Sequence, residues 1–212
     1  MKYKYVFMMG RPGCGKSAVY RELEKRLVAE KLAGSFERVD DFPKLWNKFM
    51  VDDENEKKGL PRKYSRAAEG GGYKVTNDAM WNDILVDLNA DILKKEKKEG
   101  HVIFIEFSRS NYIEAFSNFS KEMLDASLII YIDVNFEICW ERNVKRHEEA
   151  LANKQDDHLV SREEMEKTYL YDDRDALVKS KYNVFVINNE QTGDEFLKIQ
   201  VQNVIDYLKK GK

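Results

Sequence analysis

Four short apolar runs, Tyr5–Met9, Val102–Phe107, Leu128–Val134 and Val184–Ile187, interrupt an otherwise strongly polar chain. They carry aromatic and β-branched residues without polar alternation. Such runs suit strands buried on both faces, as in a parallel sheet. A weaker fifth candidate is Phe36–Asp40. Between the runs lie stretches of helical period. Lys16–Lys31 carries Val19, Leu23 and Leu27. Asp78–Glu99 carries Met80, Ile84, Leu85, Leu88 and Ile92, with Gly100 as its stop signal. Asn135–Arg146, Ser161–Lys179 and Gly193–Lys209 are the other expected helices. Ser161 and Glu164 are expected to form a capping box. Strand and helix alternate, which indicates an α/β domain with a mostly parallel sheet and right-handed crossovers. The 212 residues fit one domain with a sizeable core.

Two polar segments break the rhythm, residues 52–74, with Gly59, Pro61 and Gly70–Gly72, and residues 147–160. Both read as excursions from the sheet, either functional lids or solvated charged loops. The charge is balanced, 36 Lys and Arg against 38 Asp and Glu. That excludes a disordered polyelectrolyte and bulk nucleic-acid binding by charge. No apolar run reaches the length of a membrane span, and the N-terminus lacks a signal-peptide core. The two cysteines, Cys14 and Cys139, and the histidines His101, His147 and His158 form no metal or disulfide pattern. A reducing, cytoplasmic location is expected.

Between the first strand and first helix stands Gly10-Arg11-Pro12-Gly13-Cys14-Gly15-Lys16-Ser17, the pattern GxxxxGK[ST] of a P-loop, or Walker A. Glycines let the backbone curl so that N–H groups face an anion. The following helix offers unpaired N–H groups and its positive dipole end. Lys16 is placed for the β- and γ-phosphates of ATP, and Ser17 for Mg²⁺. Cys14 reads as a small filler, not a nucleophile. Asn153-Lys154-Gln155-Asp156 matches NKxD, a guanine-reading motif, but no buried strand precedes it and no DxxG sequence exists, so the match is accidental.

Acidic and cationic residues follow the other strands. Asp40 and Asp41 end the weak strand, at the sheet edge where open α/β folds bind ligands. One of them can take a proton from an acceptor hydroxyl or hold a Mg²⁺ water; the alternative is a helix cap. Glu106 stands at the end of the Val102–Phe107 run, where a carboxylate without a partner is costly, which marks it for the metal. Arg109 follows, placed for a phosphate or for a structural ion pair. Arg142 and Arg146 share one helix face. Arg62, Lys63 and Arg66 lie in the first excursion. Arg162 and Arg174 flank the second. Trp46 and Phe49 either stack on a base or pack.

These features resemble the P-loop nucleoside and nucleotide kinase family. Ile129–Arg146 is similar to its strand–turn–helix leading into the lid. The resemblance implies that Arg142 and Arg146 clamp the transferring phosphoryl group. Asp41-Phe42-Pro43 with Trp46 resembles the acid, proline and tryptophan cluster of deoxynucleoside kinases. Glu106 with Arg109 resembles their acid–arginine–serine motif. The family implies a three-layer P-loop NTPase fold. It would have about five parallel strands, helices on both faces, a substrate-side excursion at 42–77 and a lid at 143–165. It further implies a Mg²⁺- and ATP-dependent kinase acting on a small acceptor, a nucleoside or nucleoside monophosphate. Other hydroxyl metabolites, a polynucleotide 5′ end and a nucleotide-binding regulatory module are the alternatives. The expected partners are that acceptor and, compatibly, a second copy of the chain, with no membrane.

Overall fold

The computed structural model describes residues 3–67, 73–95, 98–153, 160–191 and 193–210. In chain order its elements are β1 (Tyr5–Met9), α1 (Lys16–Ala29), β2 (Ser35–Asp40), α2 (Phe42–Lys57), β3 (Ser65–Ala67), β4 (Tyr73–Val75), α3 (Ala79–Leu93), β5 (His101–Glu106), α4 (Tyr112–Phe116), α5 (Lys121–Asp125), β6 (Ser127–Asp133), α6 (Phe136–Ala152), α7 (Arg162–Tyr169), α8 (Arg174–Val178), β7 (Val184–Asn188) and α9 (Asp194–Lys210).

The main sheet has the order β2-β5-β1-β6-β7, and every pairing is parallel. β1 is central, and all five of its residues are buried. Period-2 alternation sends Val6, Met8, Phe104, Ile130 and Ile132 to one face, against Val19, Leu23 and Leu27 of α1 and Val201, Val204 and Ile205 of α9. Phe7, Met9, Ile105, Ile129 and Tyr131 point to the other face, against Leu85 and Leu88 of α3 and Phe116 of α4. Each such side chain contributes roughly 1.5–3 kcal/mol by leaving water. β2 is an edge strand with no fully buried residue, which explains its weak apolar signal. A third cluster of Phe49, Tyr64, Met80 and Ile84 holds α2, α3 and the β3–β4 hairpin together, and Trp46 packs on it.

Several elements depart from the sequence expectation. The helix expected over Asp78–Glu99 ends at Leu93. Gly100 serves the sheet instead: at φ +71° it precedes β5, and its carbonyl accepts the Gly34 amide at 2.9 Å. Residues 52–57 of the first excursion are the last turns of α2. The helix expected over Ser161–Lys179 is two helices, because residues 170–173 are tied to other elements, as described below. Ser161 does cap α7, its Oγ accepting the Glu164 amide at 3.2 Å. The Glu164 carboxylate accepts from the Thr168 hydroxyl instead of reaching back to complete the box. α6 runs beyond Arg146 to Ala152. Gly70–Gly72, His158 and Lys154-Gln155-Asp156 of the NKxD match lie outside the described residues.

Candidate active site

β1 delivers the chain to the carboxyl edge of the sheet, where residues 10–15 turn back into α1. Gly13 and Gly15 have φ +83° and +97°, a region that disfavours any Cβ. Both also meet close neighbours. A methyl at Gly13 would overlap the carbonyl oxygen of Cys139 on α6, and one at Gly15 would overlap the Asn189 amide. The loop is therefore seated between α6 and the exit of β7. Asn189 secures it, its Nδ2 donating to the Cys14 carbonyl at 2.9 Å while its own N–H donates to Asp133 at 3.1 Å. Cys14 and Cys139 are buried and unpaired by disulfide. Burial pushes both thiols up, Cys139 to about 12, which leaves them inert at neutral pH.

Lys16 reaches over the loop. Its ammonium donates to the Gly10 carbonyl at 2.9 Å, the Arg11 carbonyl at 3.1 Å and Ser108 Oγ at 3.1 Å. Three donors thus converge on the loop mouth from one point charge. Ser108 Oγ itself donates to Gly10 at 2.7 Å, linking the segment after β5 to the loop.

Arg11 fastens the loop to the end of α7. Its guanidinium donates to the carbonyls of Tyr169 at 2.7 Å, Leu170 at 3.3 Å and Val134 at 3.2 Å. Two aspartates continue this anchor. Asp172 accepts from the buried Tyr131 hydroxyl at 2.6 Å. Asp173 accepts from the first amides of α4, Tyr112 at 2.6 Å and Ile113 at 2.9 Å. The Tyr112 hydroxyl in turn accepts the Gly10 amide at 3.1 Å. These bonds hold residues 170–173 across the loop and interrupt the helix.

Asp40 and Asp41 have different partners. Asp40 lies opposite Glu106 in the β2–β5 register. Its Oδ1 accepts the Phe42 amide at 3.0 Å. Burial raises its carboxyl above the usual range, with the Asp41 and Glu106 charges adding to the shift and the Phe42 amide and Arg38 opposing it. Asp41 instead pairs with Arg109 at 2.8 Å. Arg109 is 8% exposed, its guanidinium lies 4.7 Å from the Trp81 ring centroid, and its Nε has no hydrogen-bond partner.

Glu106 is 5% exposed. The edge-strand residue Arg38 faces it, Nη2 donating to Oε2 at 2.9 Å and Nε lying 2.7 Å from Oε1. The Nε contact is an ion pair without hydrogen-bond geometry, so Oε1 remains a buried oxygen with no hydrogen bond. The same Nη2 donates to Ser17 Oγ at 2.8 Å. Ser17 and Glu106 therefore converge on one cationic point. Among the described residues no group of three or more His, Cys, Asp or Glu forms a metal cage. One carboxylate, whose Oε1 has no hydrogen bond, and one hydroxyl are nevertheless a fitting protein share for Mg²⁺, which takes most of its ligands from water and phosphates.

A pocket of about 270 Å³ adjoins this edge, between α3, the segment after β5, α4 and α7. Trp81, Asn82, Arg109, Glu114 and Lys167 line it, and Ser108 borders it. With Asp78, Glu164 and Asn111 also on its wall, it combines two cations, three carboxylates and two amides around a small volume.

Most of the other candidates have partners of their own. Arg142 donates to the carbonyls of Asn189 at 2.9 Å and Glu190 at 3.2 Å, bracing the loop after β7. Arg146 is exposed and donates to Asn143 Oδ1 at 3.1 Å. Arg62 is held by Asp53 and Glu56 at 2.8 Å each. Lys63 sits over the Tyr64 ring, and Arg66 is exposed on β3. Arg162 pairs with Glu137 and Glu166, and Arg174 with Asp133 and Asp175. His101 Nδ1 lies 2.8 Å from Ser35 Oγ, away from this edge. Sequence reasoning passed over Arg38, Ser108, Tyr112, Asp172, Asp173 and Asn189. For Arg38 a signal existed, since it stands two residues before Asp40 and so shares its face of the strand.

Solved structures of similar fold include P-loop kinases. An APS kinase from Mycobacterium tuberculosis, in complex with AMPPNP and APS, superposes with TM-score 0.53 and 18% identity over 98% of each chain. A shikimate kinase from Acinetobacter baumannii, in complex with shikimate, gives TM-score 0.51 at 15% identity, covering 99% of this chain and 95% of that one. A gluconokinase from Sinorhizobium meliloti gives TM-score 0.51 at 10% identity, covering 100% and 98%. The chain has the fold of P-loop kinases, a five-stranded parallel sheet between helical layers with the loop strand at its centre. No family model matches the sequence, and no curated protein sequence matches it. No helix among the described residues is long and apolar enough to cross a membrane.

Proposed function

We propose that the protein is a Mg²⁺- and ATP-dependent kinase that transfers the γ-phosphoryl group to a small acceptor, a nucleoside or nucleoside monophosphate. One observation carries the reading. The residue that touches the P-loop lysine, Ser108 at 3.1 Å, also borders the pocket. Donor phosphates on the loop and an acceptor in the pocket would meet there.

Lys16 trades its carbonyl contacts for the β- and γ-phosphates, and the N–H groups at the start of α1 bind phosphate oxygens. When bound, Mg²⁺ supplies charge neutralisation on the phosphates, with Ser17 and the water shell on Glu106 holding it. Arg109, stacked on Trp81 and positioned by Asp41, takes an anionic group of the acceptor. Asp40 stands beside Glu106 and is not claimed by Arg109, and its raised carboxyl suits it to receive the acceptor proton. Arg142 keeps the loop after β7 in place against the nucleotide. Positioning and charge neutralisation supply the catalysis.

The pocket's modest volume and polar lining favour a second acceptor class, a small hydroxylated acid or sugar. A coupled ADP-release assay with Mg·ATP separates the classes. Nucleosides, nucleoside monophosphates, sugars, hydroxy acids and oligonucleotides are tested beside Lys16→Ala. The expected result is acceptor-dependent ADP release that falls at least about a hundredfold in the variant. Tight ATP binding with only slow hydrolysis across the panel would refute the transferase reading.

A further inference from the structure

The convergence of Ser17 and Glu106 on Arg38 has a consequence for how the site is loaded. The guanidinium contacts both groups that the metal would need, through Nη2 at 2.8 Å to Ser17 Oγ and 2.9 Å to Glu106 Oε2, and through Nε at 2.7 Å to Oε1. A planar cation lying between the two contends for the space a divalent ion would take. The arrangement is chemically sensible without nucleotide. Glu106 is buried, and a buried carboxylate needs a cation nearby.

Arg38 can also leave. It stands on β2, at the edge of the sheet, and its side chain is 35% exposed. Apart from Ser17 and Glu106 it meets the Tyr20 ring, 5.4 Å from centroid to guanidinium, and feels the Asp40 charge. Withdrawal toward solvent disturbs no core packing. Glu106, by contrast, is fixed at the end of a fully paired interior strand.

We propose that Arg38 is the resident cation of the Ser17–Glu106 site, and that loading a magnesium nucleotide exchanges its guanidinium for the metal. Arg38 is thus a gate on metal entry. The inference rests on the nucleotide-binding reading only for what enters. The gate lowers the apparent affinity for Mg²⁺ by the fraction of time the site is open. It also keeps the buried carboxylate neutralised when the site is empty.

The test compares wild type, Arg38→Ala and Arg38→Lys. A fluorescent ATP analogue is titrated in EDTA and across a Mg²⁺ series, and thermal unfolding is followed with Mg²⁺ alone. In Arg38→Ala the Mg²⁺ concentration for half-maximal tightening of the analogue is expected to fall at least about tenfold. Mg²⁺ alone should raise the unfolding midpoint of Arg38→Ala and leave wild type unmoved. The lysine variant keeps the charge but lacks the fork, so its shift has the same sign and smaller size. It decides the matter if the alanine variant does not fold. An unchanged Mg²⁺ dependence in both variants would overturn the proposal. So would weaker binding of the metal-free analogue in Arg38→Ala, which would assign Arg38 to the phosphates. Failure of every form to bind the analogue would instead sink the nucleotide reading, and the melting experiment would still judge the gate.

Discussion

Replacing Gly13 with alanine tests whether packing against α6 holds the phosphate loop in shape. Two costs combine. The backbone sits at φ +83°, where a Cβ costs about 1–2 kcal/mol. The new methyl would also lie 3.0 Å from the carbonyl carbon and 3.2 Å from the Cα of Cys139, and would overlap the oxygen. Ordinary contact begins at 3.4 Å. The neighbour is helix backbone, which cannot rotate aside, so overpacking adds about 1–3 kcal/mol. The sum is about 2–5 kcal/mol. In a chain of this size that lowers the unfolding midpoint by about 4–20 °C. Gly59→Ala is the control. Gly59 has φ +71° but nothing within 4 Å of the added methyl, so it carries the conformational cost alone. Urea unfolding of the two variants, with nucleotide affinity measured in parallel, isolates the steric part. Gly13→Ala should lose at least about 1 kcal/mol more than Gly59→Ala and should bind ATP poorly. Equal losses, or intact ATP binding in Gly13→Ala, would refute the claim that α6 fixes the loop.

Asp52 is fully buried, and its carboxylate accepts from the amides of Lys63 at 2.7 Å, Tyr64 at 2.8 Å and Ser65 at 2.6 Å and from the Ser65 hydroxyl at 2.9 Å. Burial alone would raise its carboxyl, but these hydrogen bonds outweigh it and hold the carboxyl below the usual range. Its stabilisation is therefore present above about pH 4, the unfolded value, and is lost as pH falls through the lower folded value. Asp52→Asn should cost about 1–3 kcal/mol at pH 7 and flatten that acid limb, read by urea unfolding at several pH values. Arg142→Ala removes two donors from the loop after β7. It should weaken ATP binding about tenfold by calorimetry, and a lower kcat at unchanged ATP affinity would place Arg142 on the transferring phosphoryl group instead.

The parts legible in the sequence were those whose cause is local. β1, β5 and β6 announce themselves because both faces are buried, and the phosphate loop because its glycines and lysine act within eight residues. The edge strand β2 gives a weak signal for the opposite reason, since solvent accepts either character on its exposed positions. Where sequence failed, the cause sat far along the chain. The break between α7 and α8 depends on Asp173 capping a helix 60 residues earlier and on Arg11 holding carbonyls about 160 residues away. Asp40 and Asp41 look equivalent as letters. Register alone sends Asp40 toward Glu106, and Arg109 alone claims Asp41.

Arg38 sharpens the same lesson. In sequence it is a charged residue on a half-exposed strand, and surface ion pairs of that kind contribute little. Its meaning comes from Glu106, 68 residues later, whose burial makes a partner obligatory, and from Ser17, 21 residues earlier, whose hydroxyl shares the same Nη2. A carboxylate at the end of an interior strand can be recognised from sequence as needing a cation. Which cation satisfies it between turnovers is a property of the sheet order, because only the β2–β5 pairing brings Arg38 within reach. The edge position that made β2 hard to read is the one that lets its arginine swing into solvent. An interior strand would have fixed the guanidinium as firmly as it fixes Glu106, and no metal could then displace it.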